Sequence, residues 1–136
     1  MATVIVNGGV GIITALMKAT GQTEPVQIGW GTGAGTSAKT DTALFSEVAT
    51  DLVATTGTRT AGTSSRVTGV NTNDTYRVTG TRTAVTNSGT VTNAGLFDNN
   101  TIGSGTLFLK TDFAGIGLNG ANGDSIAFTL DTKFAN

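Results

Sequence analysis

The chain has 136 residues, no histidine, no cysteine and a net charge of −1, with threonine at about one residue in five. Those absences exclude disulfides, histidine-based acid–base or metal chemistry and cysteine nucleophiles. Only 12% of residues are charged, against roughly 25% in an average soluble domain, so hydroxyls, amides and backbone must wet the surface. The length suits one domain with a real core: 1–136, divided into an N-terminal arm and helix over 1–24 and a β-sandwich over 25–136.

Met1–Gly9 carries no basic leader before its short apolar run, and the longest apolar stretch, Val10–Met17, falls far short of a membrane span. The expectation is a protein made in the cytoplasm with no visible export signal and no membrane partner. Ile12, Ile13, Leu16 and Met17 recur at helical spacing, with Asn7 or Gly8 to start the helix and Gly21 to end it. A shorter helical turn is predicted over 41–48, with Leu44, Phe45 and Val48 on one side.

The remainder alternates with period two. Val26, Ile28 and Trp30 make one strand; Ile126, Phe128 and Leu130 make another, with Phe134 on the same face. Further strands are predicted over 65–70, 75–85, 94–98, 106–111 and 113–118. They are separated by turn chemistry at 71–74, 87–89, 99–105 and 119–124. Short strands at that spacing predict an all-β fold: an antiparallel β-sandwich, jelly-roll-like, with one short N-terminal helix. Strict alternation over 75–85 places Arg82 on the apolar face with Tyr76 and Val78. A bulge at Gly80 is the expected relief, turning Arg82 outward. Thr56-Gly-Thr-Arg-Thr-Ala61 recurs as Thr79-Gly-Thr-Arg-Thr-Ala84, read as two similar strand segments.

Chemistry-bearing motifs are weak. Gly33–Thr40 nearly spells a phosphate loop, but Ala38 stands where glycine is needed. Asp98–Gly103 begins like a calcium loop, but Ile102 and Leu109 occupy ligand positions, so a tight turn is expected. Serine and threonine have no histidine to activate them, and the acids are scattered singly. No catalytic, cofactor or metal residue is assigned, and no enzyme is expected. The sequons at Asn73 and Asn99 read as chance matches in a threonine-rich chain. All four arginines (Arg59, Arg66, Arg77 and Arg82) fall within 59–82, where Asp74 is the sole acid. That window reads as a solvated strand face, or as a docking edge for an acidic protein surface. Nucleic-acid binding lacks aromatic platforms apart from Tyr76.

Several phrases in order resemble a family of small tailed-phage virion proteins: Ile28-Gly-Trp-Gly-Thr-Gly33, Thr40-Asp-Thr-Ala-Leu44 with Glu47, and Asn73-Asp-Thr-Tyr76 leading to Val78 and Gly80-Thr81. They continue with Ala94-Gly-Leu-Phe97, Gly105-Thr-Leu107, Asp112-Phe113 and Gly123-Asp-Ser-Ile126. Asn93 departs from the pattern, which has an acid before Ala94. The resemblance implies a structural component of the virion. Foremost is a capsid cement (decoration) protein on the capsid surface, a homotrimer bridging subunits of the major capsid protein. A tail-fibre, baseplate or neck component is the alternative. A carbohydrate-binding module is a distant one, for which Trp30 and Tyr76 are the available rings. Val4, Ile5 and Val6 are expected to add a strand to a neighbour's sheet, with Arg59, Arg66, Arg77 and Arg82 as further interface residues. No cofactor is expected.

Overall fold

Period-two patterning puts nearly half of the described residues into strands, and two antiparallel sheets stack around an apolar centre. The structure is a computed structural model describing residues 1–18, 21–48 and 58–134. Its elements are β1 (Thr3–Ile5), α1 (Asn7–Lys18), β2 (Gln27–Gly31), β3 (Thr60–Ala61), β4 (Thr63–Val67), β5 (Thr75–Thr83), β6 (Ser88–Phe97), β7 (Leu107–Asn119) and β8 (Ser125–Lys133). The first sheet runs β1-β7-β6-β2-β3 and the second β4-β5-β8, every pairing antiparallel. The molecule is an all-β sandwich with one short α-helix among the described residues.

Ile28, Trp30, Ala94, Leu96 and Leu109 of the first sheet meet Val78, Phe128 and Leu130 of the second in the main core. The Trp30 and Phe128 rings meet edge to face at 6.5 Å. Ile12 of α1 joins this core, while Leu16 is 43% exposed. A second cluster (Val6, Leu44, Phe97 and Leu107) lies where residues 43–47 cross the outer face of the first sheet. Gly29 makes that crossing possible: a Cβ there would lie 2.5 Å from Glu47 Oε1 and 3.2 Å from Leu44 Cδ1.

Several expectations need correction. Residues 41–48 form no helix. The segment runs beside β2, with Thr32 N–H donating to Ser46 O, Gly33 N–H to Phe45 O and Val48 N–H to Trp30 O. Backbone pairing with a neighbouring strand replaces the local helical turn. The predicted strands at 106–111 and 113–118 are one strand of 13 residues. Asp112 marks a register irregularity opposite Val91–Asn93 rather than a turn. Phe134 is 59% exposed, beyond the end of β8.

Gly80 is not a bulge. β5 and β8 pair without interruption from Thr75↔Lys133 to Thr83↔Ser125. What Gly80 supplies is room, because a Cβ there would sit 2.7 Å from Ile28 Cδ1 of the opposing sheet. Arg82 therefore stays on the inner face, 1% exposed. The N-terminal residues are not a free arm, since β1 pairs with β7 of its own chain.

Candidate functional site

The arginine window divides between the interior and the surface. Arg59 is buried. Its Nε and Nη2 donate to Glu47 Oε1 and Oε2 at 2.7 and 2.9 Å. Its Nη1 donates to the carbonyls of Asn99, Thr101 and Ser104 at 2.8, 2.9 and 2.8 Å. The guanidinium lies 3.3 Å over the Phe97 ring. The turn that begins like a calcium loop thus does converge carbonyls on a cation, but the cation is the guanidinium of Arg59. Asp98 braces the same turn, accepting from Thr106 N–H at 2.6 Å and from Gln22 Nε2 at 2.7 Å.

Arg82 lies deeper and is less well served. Its Nη1 donates to Ile28 O at 2.6 Å and its Nη2 to Thr58 O at 3.4 Å, while Nε finds no hydrogen-bond partner among the described residues. Burial pulls the guanidinium down to about 10, opposed by the attraction of Glu47. It keeps its charge at neutral pH. Arg59 and Arg82 are the equivalent arginines of the internal repeat, so the echo delivers two cations to one region of the interior. Thr56-Gly57 of the earlier copy lie outside the described residues.

A third buried cation holds the segment that covers the first sheet. Lys110 Nζ bonds Ala43 O at 2.8 Å, pairs with Asp41 at 2.9 Å and sits 3.2 Å over the Phe45 ring. The hydrogen bond from Lys110 holds the Asp41 carboxyl below its usual range. Beside it, fully buried Asn93 acts as a strand of one residue. Its Oδ1 accepts from Phe45 N–H at 3.0 Å, and its Nδ2 donates to Phe45 O at 3.0 Å and Gly33 O at 3.3 Å. A carboxylate at this position has no proton to offer those carbonyls, which gives the departure at Asn93 a physical consequence. Asp41 and Glu47 stood out in sequence only as members of a resembling phrase and Lys110 not at all, because what makes them matter is partners 12 to 69 positions away.

The outer face of β4-β5-β8 is of another kind. Thr63 and Ser65 on β4, Thr79, Thr81 and Thr83 on β5, and Ser125, Ala127 and Thr129 on β8 all lie exposed on it. One ion pair crosses it: Arg77 Nε and Nη2 donate to Asp131 Oδ1 and Oδ2, both at 2.7 Å. That bond to Arg77 holds the Asp131 carboxyl below its ordinary value. Arg66 is exposed at the β4 edge. No described element covers this face.

Among the sequence-predicted interface residues, Arg66 and Arg77 are at the surface and Val4 and Ile5 are half-buried on β1. Val6, Arg59 and Arg82 are buried within their own chain and offer nothing to a neighbour. Trp30 is fully buried, and Tyr76 is half-buried with its hydroxyl donating to Glu24 Oε1 at 3.1 Å. Neither ring is laid open as a sugar platform. Among the described residues, no group of three acids that could hold a metal occurs, and no helix is long and apolar enough to cross a membrane. No protein-family model, curated protein or solved structure matches the chain.

Proposed function

We propose that the chain is a structural protein of a tailed-phage particle: a capsid cement protein that lays the hydroxyl face of β4-β5-β8 on subunits of the major capsid protein. One observation carries this reading. The first sheet is covered on both faces over its buried stretch, whereas the second leaves a broad face bare, lined by threonine and serine and crossed by a single satisfied ion pair. Burying such a face desolvates few ions, and its hydroxyls donate and accept equally well. Short β-branched side chains also surrender little rotamer freedom on contact. Several copies engaging one shell then bind tightly even where each contact is weak. The ordered resemblance to tailed-phage virion proteins is what supports a phage capsid as that shell.

The test is sedimentation with expanded heads. Wild-type protein should co-sediment in many copies per head, and heads carrying it should survive higher temperature. Thr81→Lys places an ammonium in the middle of the face and should lower affinity for heads about tenfold or more, with the circular dichroism spectrum unchanged. Recovery of the protein in a few copies on detached tails would move it to the tail. Undiminished head binding by the Thr81→Lys variant would remove the docking face.

A further inference from the structure

Four strands end the two sheets: β1 with three residues, β3 with two, β4 with five and β8 with nine. A free edge presents a row of unpaired N–H and C=O groups to any strand offered, and long flat edges are normally blunted by proline, bulges or charge. The β1 and β3 edges are blunted by brevity and the β4 edge by its exposed Arg66. β8 lacks two of these guards, proline and a bulge, and is thinly charged. Its register with β5 is unbroken and it contains no proline. Its charges are Asp131, already held by Arg77, and Lys133 at its end. Beside this edge the sandwich stands open in a crevice of about 420 Å³, lined in part by Phe113, Ile116, Phe128 and Leu130. Ile116 is 42% exposed there.

We infer that β8 pairs antiparallel with β8 of a second copy, joining two three-stranded sheets into one of six. The strand is self-complementary. In the register centred on Thr129, all nine residues find partners. Phe128 then faces Leu130 of the second copy and Ile126 faces its Thr132, so these side chains meet on the crevice side. On the outer side, Ala127 faces Asp131 and Ser125 faces Lys133, so no like charges are opposed. A one-residue slip would set inner side chains against outer ones. The dyad of such a pair stands perpendicular to the sheet, so both hydroxyl faces look the same way and the flat face doubles in width.

The absence of cysteine makes the test clean. Residues directly opposite in an antiparallel pair have Cα atoms about 4.5–5.5 Å apart, within disulfide range. Thr129→Cys should therefore oxidise to a covalent dimer, while Thr81→Cys, equally exposed but on the central strand, should not. Light scattering should report a dimer for wild-type protein. Thr129→Lys sets like charges opposite each other and should raise the dissociation constant several-fold with the fold intact. A monomer or a trimer in solution, or equal cross-linking at both cysteine positions, would overturn the pairing. The dimer departs from the trimer that the resemblance implies, so a trimer in solution would overturn the pairing in favour of that assembly, whereas binding to heads is tested separately by Thr81→Lys.

Discussion

The two sheets are built from the same threonine- and glycine-rich sequence yet treat their outer faces in opposite ways. The first carries residues 43–47 across its outer face, pinned by three buried polar devices: Arg59 on Glu47, Lys110 on Asp41, and Asn93 on both backbone groups of Phe45. The second has a bare outer face of hydroxyls with one ion pair. Sealing a face with few apolar residues takes buried cations and amides, each of which must be satisfied or becomes costly. Leaving a face bare needs only side chains at ease in water. The sealed side should therefore hold the stability, and the bare side should be free for contact.

The sharpest way to break that contrast is Arg59→Met. It strands Glu47 and three carbonyls, and should cost about 3–5 kcal/mol in chemical denaturation. The repeat-equivalent Arg82→Met should stay within about 1 kcal/mol of the parent. It removes a desolvated charge that has one short hydrogen bond and an Nε unpaired among the described residues, and fills the space with apolar atoms. An equal loss at both sites would erase the distinction between a served and an unserved buried cation.

Asn93→Asp should cost about 1–3 kcal/mol or more at neutral pH, because a carboxylate then faces the carbonyls of Phe45 and Gly33. Protonation restores a donor, so the deficit relative to wild type should narrow as pH falls. A variant as stable as the parent at pH 7 would show that the amide donors contribute nothing.

Wild-type stability should move the other way in acid. Hydrogen bonds from Lys110, Asn71 N–H, Ser37 N–H and Arg77 lower the carboxyls of Asp41, Asp74, Asp112 and Asp131 in the folded state. The unfolded chain then binds more protons at low pH, so this stabilisation is complete above the ordinary aspartate value of about 3.9 and is lost below it. A melting temperature flat from pH 6 to well below that value would contradict these assignments. The smallest effect belongs to the bare face. Thr81→Lys should shift stability by no more than about 0.5 kcal/mol, and a larger loss would mean that the face packs against something after all.

Much of the architecture was legible because period-two alternation is a local property. It marked β2 and β8, put Trp30 in the core, and placed α1 from Ile12 and Ile13. It erred where partners override local pattern. Leu44, Phe45 and Val48 have helical spacing, but β2 offered that segment a backbone partner. The break read at Asp112 proved to be an irregularity within β7. The error at Gly80 is the most instructive. Alternation does conflict with a buried arginine there, but the fold resolves it by hydrogen-bonding Arg82 inside rather than by bending the strand. The arginine window misled for the same reason, since clustering in sequence says nothing about which members find acceptors.

By itself the amino-acid sequence determined the β-rich class, the N-terminal helix, the poverty of charge and the positions of most strands, all of which follow from periodicity and composition. Only the tertiary structure decided which charges went inside, which sheet face was covered and which edge remained long and open. Those outcomes depend on groups far apart along the chain meeting in space, and one linear pattern is compatible with either result until they do.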